Sequence, residues 1–329
     1  MATPDVRLCI IGAGGHARRN IYPSLYRLEG AAVVANCDLD GQLAAGVASR
    51  HGIDRSYTDY PRMLDEQRPD GVIVCINPEM HARLAVELLD RGLHVYTEKP
   101  NAPGLAESQA VVRAQERSGK VCMVGYKKRF APAYRKAKEV IDSGGFGRPA
   151  AMSVVRTCGG PPVPADRFRA QLLDWTCHTL DLATFLFGPV TAVQAFARPG
   201  ERYALTVNLS HANGAASQQL FTNATGHAIE QVFLCGDGGV EVTVENSINL
   251  QAARFGRPFA LHRPSFTTGG GFSDIEQGFA GELAAFVEAI RTGRANEATI
   301  QQATHTLAVF EAMMRSVGSG DHAPMEVIE

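Results

Sequence analysis

The sequence has no run of apolar residues approaching the roughly eighteen that a membrane span requires. No membrane partner is expected. It also lacks a surplus of either charge: 32 Lys and Arg stand against 34 Asp and Glu, for a formal net charge of -2. No broad basic field draws nucleic acid, and no long like-charge run marks an interaction tail. The seven cysteines are an odd count with no C-x-x-C pair. Cys9, Cys37, Cys75 and Cys122 lie in short apolar runs and read as small buried hydrophobes. No charged region with an apolar segment and cleavage site precedes the first strand, so a secretory signal is not expected and the cytoplasm is the expected compartment. Internal repeats and low-complexity tracts are absent too.

What is present suits a soluble globular chain: 45% hydrophobic and 20% charged residues, and a length of 329 that accommodates two cores. Over residues 1–124, short apolar runs (Val6 to Ile11, Ala32 to Cys37, Gly71 to Ile76, Leu93 to Tyr96, Lys120 to Val124) alternate with helical periodicity. Unbroken Val/Ile/Cys runs bounded by helices imply parallel strands buried on both faces, hence a doubly wound Rossmann domain. Residues 125–329 read differently. Helices are expected over Pro132 to Ile141 and Trp175 to Leu186, then strands over Val190 to Ala197, Tyr203 to Ser210, Ala215 to Thr222, Ala228 to Cys235 and Val240 to Val244. Tight turns such as Ala212-Asn213-Gly214 join them. The expectation is an α+β domain on a large, open, mostly antiparallel sheet, closed by a Gly-rich segment, Gly269 to Gly271, and helices over Phe279 to Arg291 and Ile300 to Val317.

After the first strand stands Gly12-Ala13-Gly14-Gly15-His16-Ala17, a G-x-G-x-x-A fingerprint. Gly12 permits a tight turn, Gly14 lets backbone approach a pyrophosphate, and Ala17 lets the helix pack close to the strand. The helix N-terminus offers free N–H groups to the phosphates. Asp38 ends the second strand, where a carboxylate accepts from ribose hydroxyls and repels the 2'-phosphate of NADP; NAD is therefore the expected cofactor. Asp40 is expected to begin the next helix.

Three further segments carry chemistry: Glu98-Lys99-Pro100, Gly125-Tyr126-Lys127-Lys128-Arg129-Phe130, and Asp174-x-x-x-His178-x-x-Asp181. Ligands of a doubly wound sheet bind beyond the carboxyl ends of its strands, which is where Asn77, Lys99 and Arg129 fall. On a helix, residues 174, 178 and 181 share one stripe. That stripe offers His and carboxylates, yet no third segment completes a tetrahedral set, so no metal is expected. With the glycine loop and Asn77-Pro78-Glu79-Met80-His81, these segments resemble the Gfo/Idh/MocA family, which includes glucose-fructose oxidoreductase and inositol dehydrogenase. The resemblance covers nearly the whole chain. Thr176, where the family often has glycine, and Asn101, where an apolar residue is usual, depart from it.

The resemblance implies a sugar or cyclitol dehydrogenase. The cofactor site would take in Gly15, His16, Asn77, Pro78, His81, Glu98 and Lys99 besides Gly12, Gly14, Ala17 and Asp38. Lys99, Lys127, Arg129, Trp175 and His178 would face the substrate. His178, oriented by Asp174, suits removal of a hydroxyl proton because imidazole titrates near neutrality, while the Lys99 ammonium stabilises alkoxide charge or relays the proton. Either Lys99 or His178 is the formal base. Glu98 is read as fixing the turn, with Pro100 held cis, and Asp181 as bracing its helix.

Each residue has a plainer alternative: a satisfied core histidine for His178, a loop lysine for Lys99, interface filling for Trp175. Of the three adjacent cations, one would bind an anionic substrate group, or alternation would send at least one to solvent. An NAD-dependent glycoside hydrolase and a non-catalytic nucleotide sensor are the alternative functions. The alternation of Val193, Ala195 and Ala197 and of Leu205, Val207 and Leu209 leaves room for helices on one side of the sheet and a second subunit on the other, giving a homodimer or homotetramer.

Overall fold

The computed structural model describes residues 6–198, 200–264, 273–294, 297–319 and 323–325. Two compact units make up the chain, one from residues 1–127 and 271–304, the other from 128–270 and 305–329.

In the first unit β1 (Val6–Ile11), β2 (Ala31–Cys37), β3 (Arg55–Tyr57), β4 (Gly71–Val74), β5 (His94–Thr97) and β6 (Cys122–Val124) form a parallel sheet in the order β3-β2-β1-β4-β5-β6. Strand order reverses between β1 and β4, which opens a crevice at their carboxyl ends. Leu8, Ile10, Val72, Ile73, Val74 and Val95 have no exposed surface, as expected for strands covered on both faces. β3, short and polar, has no place among the apolar runs. Asp40 caps the helix Gly41–His51, accepting from Gln42 N and Leu43 N at 3.0 Å, and Asn77 caps Pro78–Asp90.

The helix after the glycine loop is irregular. Ala17–Ile21 winds as a wide π-type turn, followed by Tyr22–Ser24 and a tight turn at Leu25–Arg27. Pro23 has no N–H to donate back, so the regular ladder cannot continue there.

Residues 271–304 belong with the first unit, a correction to the division at 124/125. The apolar stripe of the helix Phe279–Thr292 covers this sheet: Phe286 meets the Tyr96 ring at 5.9 Å, and Ile290 lies against Gly71. Further along, Ala298 O accepts from Val124 N at 3.0 Å and Thr299 bridges Met123, so the edge strand β6 is covered. Gly269 to Gly271 lie outside the described residues.

In the second unit nine described strands form one sheet: β7 (Pro149–Thr157), β8 (Val190–Arg198), β9 (Ala204–His211), β10 (Ala216–Thr222), β11 (Glu230–Gly236), β12 (Val240–Glu245), β13 (Asn249–Arg254), β14 (Arg257–His262) and β15 (Ala323–Pro324). Their order is β14-β13-β12-β11-β7-β10-β9-β8-β15, antiparallel throughout except at β7·β10. One buried row crosses it: Ala195, Val207, Gln219, Val154, Val232, Val244 and Leu250. The alternating residues Val193, Ala195, Leu205, Val207 and Leu209 are all buried, so they mark the covered face. Phe196, Phe233 and Leu261 stand on the other face.

His94 links the first unit's stability to pH. Its Nδ1 accepts from Val121 N at 3.0 Å, which requires the neutral ring. Burial, helped by Lys120 and opposed by Asp70, lowers its pKa from 6.5 to about 4. A base whose folded pKa lies below its unfolded value takes up more protons when unfolded. Stability present above pH 6.5 is therefore lost as the pH falls toward about 4. Thermal melts should show that loss, and His94→Asn, which keeps an acceptor but cannot titrate, should flatten it. An unchanged slope in the variant would assign the dependence to other groups.

Candidate functional site

The glycine loop is built on a close approach of two chain segments. Gly12 N donates to Cys37 O at 2.8 Å, its φ is +107°, and a Cβ there would lie 2.1 Å from the Cys75 carbonyl oxygen. Only glycine satisfies both conditions. Nothing lies within 4 Å of where Gly14 or Gly15 would carry a Cβ, so that surface is open to a ligand. Ala17 is fully buried beneath it.

Asp38 accepts from Ala13 N at 2.7 Å and from Asp40 N at 3.0 Å, one bond to each oxygen, leaving further lone pairs for ribose hydroxyls. Gly12, Gly14, Gly15, His16, Ala17, Asp38 and Asn77 all line one cavity of about 720 Å³. Ile76 and Met80 line it too, as do Leu39 and Tyr60, which were not singled out in the sequence. Leu39 is 94% exposed, an apolar wall suited to a flat base. A cradle without Cβ atoms, a ribose acid and apolar walls fit a dinucleotide.

Pro78, His81, Glu98 and Lys99 are not among the residues lining that cavity. His81, expected at the cofactor, is turned inward: it is buried, burial lowers its pKa, and its neutral ring bonds Pro100 O through Nδ1 at 2.8 Å. It thereby holds the Lys99–Pro100 segment, whose peptide bond is cis. Glu98 is buried at the end of β5. Its Oε1 meets His16 Nε2 at 3.3 Å and accepts from Tyr96 OH at 3.2 Å, while Oε2 accepts from Lys99 N at 3.2 Å. Burial works to raise its pKa, yet the His16 contact and the Lys99 charge hold it below the usual range. Asn101 is buried and satisfied, donating to Ser108 Oγ at 2.6 Å.

In the second unit the helix Phe168–Phe187 begins seven residues before Trp175 and carries Asp174, His178 and Asp181. Asp174 is half-buried and His178 buried. Trp175 stacks on Tyr203 at 6.1 Å and 29°. Thr176 returns its hydroxyl to Leu172 O at 2.8 Å. Asp181, fully buried, takes two bonds from Arg129, Nε to Oδ2 at 2.7 Å and Nη2 to Oδ1 at 2.6 Å. Burial raises the pKa of Asp181, and the guanidinium opposes that shift.

Arg129, expected at the substrate, is 1% exposed, and its guanidinium pairs with Asp181. Lys128 Nζ is buried on both Glu230 oxygens and Ser247 Oγ. Lys127 Nζ bonds Gln277 Oε1 at 2.8 Å and lies 4.4 Å from the Phe279 ring centroid. The segment Lys127–Phe130 is a tight turn of three residues per revolution, which aims successive side chains about 120° apart. Strand-like alternation therefore does not describe it. Among the described residues no group of three or more His, Cys, Asp or Glu is arranged to hold a metal, and no helix is long and apolar enough to cross a membrane.

Known proteins match both units. Residues 6–126 match the GFO_IDH_MocA family, described as an oxidoreductase family with an NAD-binding Rossmann fold, and residues 134–257 match the GFO/IDH/MocA C-terminal domain. Inositol 2-dehydrogenase 2 of Saccharopolyspora erythraea is 30% identical over 332 residues, covering 97% of this chain and 95% of the relative. The chain belongs to the Gfo/Idh/MocA family of oxidoreductases. Other Gfo/Idh/MocA relatives extend the likeness. The scyllo-inositol 2-dehydrogenase (NAD(+)) of Bacillus subtilis is 26% identical over 340 residues, 98% of this chain and 97% of its own. A dehydrogenase of Chromobacterium violaceum shares the fold with a TM-score of 0.88 at 23% identity, over 97% of this chain and 96% of that one.

The Arg129–Asp181 pair gives this Gfo/Idh/MocA oxidoreductase a test of structure against binding. Arg129→Met leaves a buried carboxylate uncompensated and should cost about 3–5 kcal/mol of stability in chemical denaturation, with NAD affinity by fluorescence titration unaltered. Wild-type stability with a raised Michaelis constant would return Arg129 to the substrate.

Proposed function

We propose that the chain is an NAD-dependent dehydrogenase that oxidises a secondary alcohol of a sugar or cyclitol. The observation that carries this proposal is the open Gly14–Gly15 surface in one cavity with Asp38. An acid at that position accepts from ribose hydroxyls and repels a 2'-phosphate, which supports NAD over NADP. The inositol dehydrogenases matched over nearly their full length support a polyol substrate. Their activities do not favour the glycoside hydrolase alternative.

Bound in the cradle, the dinucleotide supplies the hydride acceptor. The proton chemistry falls to the chain's own residues. Lys99 donates a hydrogen bond to the substrate hydroxyl oxygen and stabilises negative charge growing there as the C–H bond breaks. His178 or Lys99 takes the hydroxyl proton, and Asp174, one helical turn before His178, orients the imidazole. Trp175, backed by Tyr203, offers a flat surface for an apolar sugar face. His81 and Glu98 act on Lys99 by fixing its segment. Cytoplasmic location remains part of the proposal.

We propose further that the open face of the second unit's sheet joins copies of the chain. Phe196, Phe233 and Leu261, 51%, 41% and 63% exposed, are poorly placed in water.

Three measurements check these proposals. With NAD and a panel of inositols and aldoses, NADH absorbance should grow, and NADP should serve poorly. Lys99→Ala and His178→Ala should each lower turnover roughly a hundredfold or more with NAD affinity nearly intact; wild-type turnover in both variants would remove them from the mechanism. Light scattering should give a dimeric or tetrameric mass at micromolar concentration, and a monomeric mass would contradict the shared sheet.

A further inference from the structure

Glu282 is a buried acid for which the proposed chemistry has no use. It lies in the helix Phe279–Thr292 with no exposed surface; neither carboxyl oxygen has a hydrogen bond of regular geometry among the described residues, and the Tyr96 hydroxyl is the donor that faces it. Its surroundings lead to the amine segment. One turn further, Phe286 packs on Tyr96, and the Tyr96 hydroxyl donates to Glu98 Oε1 at 3.2 Å. Glycine at 125 keeps this corner clear: a Cβ there would lie 2.6 Å from the Tyr96 hydroxyl and 3.1 Å from Glu98 Oε2. The charges that act on Glu282 are those of Glu98, Lys127 and Lys99, the Tyr96 hydroxyl acts on it as a hydrogen-bond donor, and Cys75 feels it in turn. Those acting on Glu98 are His16, Lys99 and His81.

We infer that Glu282 is a positioning residue for Lys99: it and Glu98 are buried carboxyls that share the Tyr96 hydroxyl beside the segment that carries the amine, and it acts on the reaction through Lys99 rather than by touching substrate. The inference rests on the assignment of Lys99 as the catalytic amine. Two neighbouring buried carboxylates cannot both ionise readily. Burial and the charge of Glu98 push Glu282 well above the usual carboxylate range, against the pull of Lys127 and Lys99. Glu98 keeps its charge because His16 and Lys99 face it. Of the two, Glu282 is pushed toward its protonated form and Glu98 is held toward its charged form. An ionised Glu282 favours the ammonium form of Lys99 and a protonated one does not, so the proton on Glu282 bears on the amine.

The apo-protein tests this without cofactor or substrate. In wild type carrying ¹³C-labelled glutamate carboxyls, one glutamate resonance should remain in its protonated position through pH 7 and vanish in Glu282→Gln. The midpoint for acetylation of Lys99 by acetic anhydride, followed by peptide mass spectrometry across pH, should fall by about one unit in Glu282→Gln. A purely structural role would lower the melting temperature and leave that midpoint in place. Coincident Lys99 curves would overturn the inference. So would a wild-type spectrum in which every glutamate titrates in the ordinary range, a result that stands even if the variant does not fold. Wild-type turnover in Lys99→Ala would instead sink the catalytic assignment, while the apo-protein shifts persisted.

Discussion

In the first unit the parallel ladder continues past the ends of its strands. Gly12 N bonds Cys37 O at 2.8 Å, Cys75 N bonds Ile11 O at 2.9 Å, Glu98 N bonds Val74 O at 2.9 Å and Gly125 N bonds Thr97 O at 2.8 Å. Each segment leaving a strand at its carboxyl end is thus pinned to its neighbour before it turns away. That pinning brings Gly12 against the Cys75 carbonyl and Gly125 against Tyr96 and Glu98, where no side chain fits. It also fixes the glycine loop relative to the segment that bears Lys99, through the contact of His16 with Glu98. The open crevice and the amine segment are consequences of one hydrogen-bond pattern.

Buried charge in the second unit is met by opposite charge and hydrogen bonds. Glu230, buried, is held far below the usual carboxylate range: burial alone would raise it, but Lys128 and Arg156 outweigh that, with Ser247 and Tyr134 completing its bonds. Arg129 and Asp181 repeat the arrangement with two parallel bonds. Such pairs fix geometry more than they add stability, because desolvation of both ions offsets most of their attraction. Three consecutive cations would otherwise look like an anion site. Their partners, Gln277, Glu230 and Asp181, lie far apart in sequence, and no motif search connects them.

The parts of the fold legible in sequence are those where one physical requirement dominates. Val72–Val74 had to be apolar on both faces, Gly12 had to lack a side chain, and Asp40 had to cap, so each announced itself. β7, β13 and β14 did not. Pro149–Thr157 and Asn249–Arg254 mix polar and apolar residues because one face stays open, and Arg257–His262 is an edge strand with Phe259 and Leu261 outward. The assignment of Phe279–Thr292 to the first unit was hidden for a different reason: an amphipathic stripe says that a sheet covers it, not which sheet. His81 looked like part of a cofactor motif, since its bond to the Pro100 carbonyl depends on a loop 19 residues away.

Glu282 is the clearest case of a residue that only the structure reveals. It stands among Phe279, Leu283, Phe286 and Val287, where the buried stripe calls for an apolar side chain. A leucine there would pack without desolvating an acid, so packing gives no account of the glutamate. Local rules that fail in an otherwise consistent element tend to fail where chemistry needs them to. The other carboxyl of the pair points the same way: Glu98 is shared between an imidazole on the glycine loop and the backbone of the lysine itself. One buried carboxylate therefore contacts both the cradle and the backbone of the amine segment, which ties the two together.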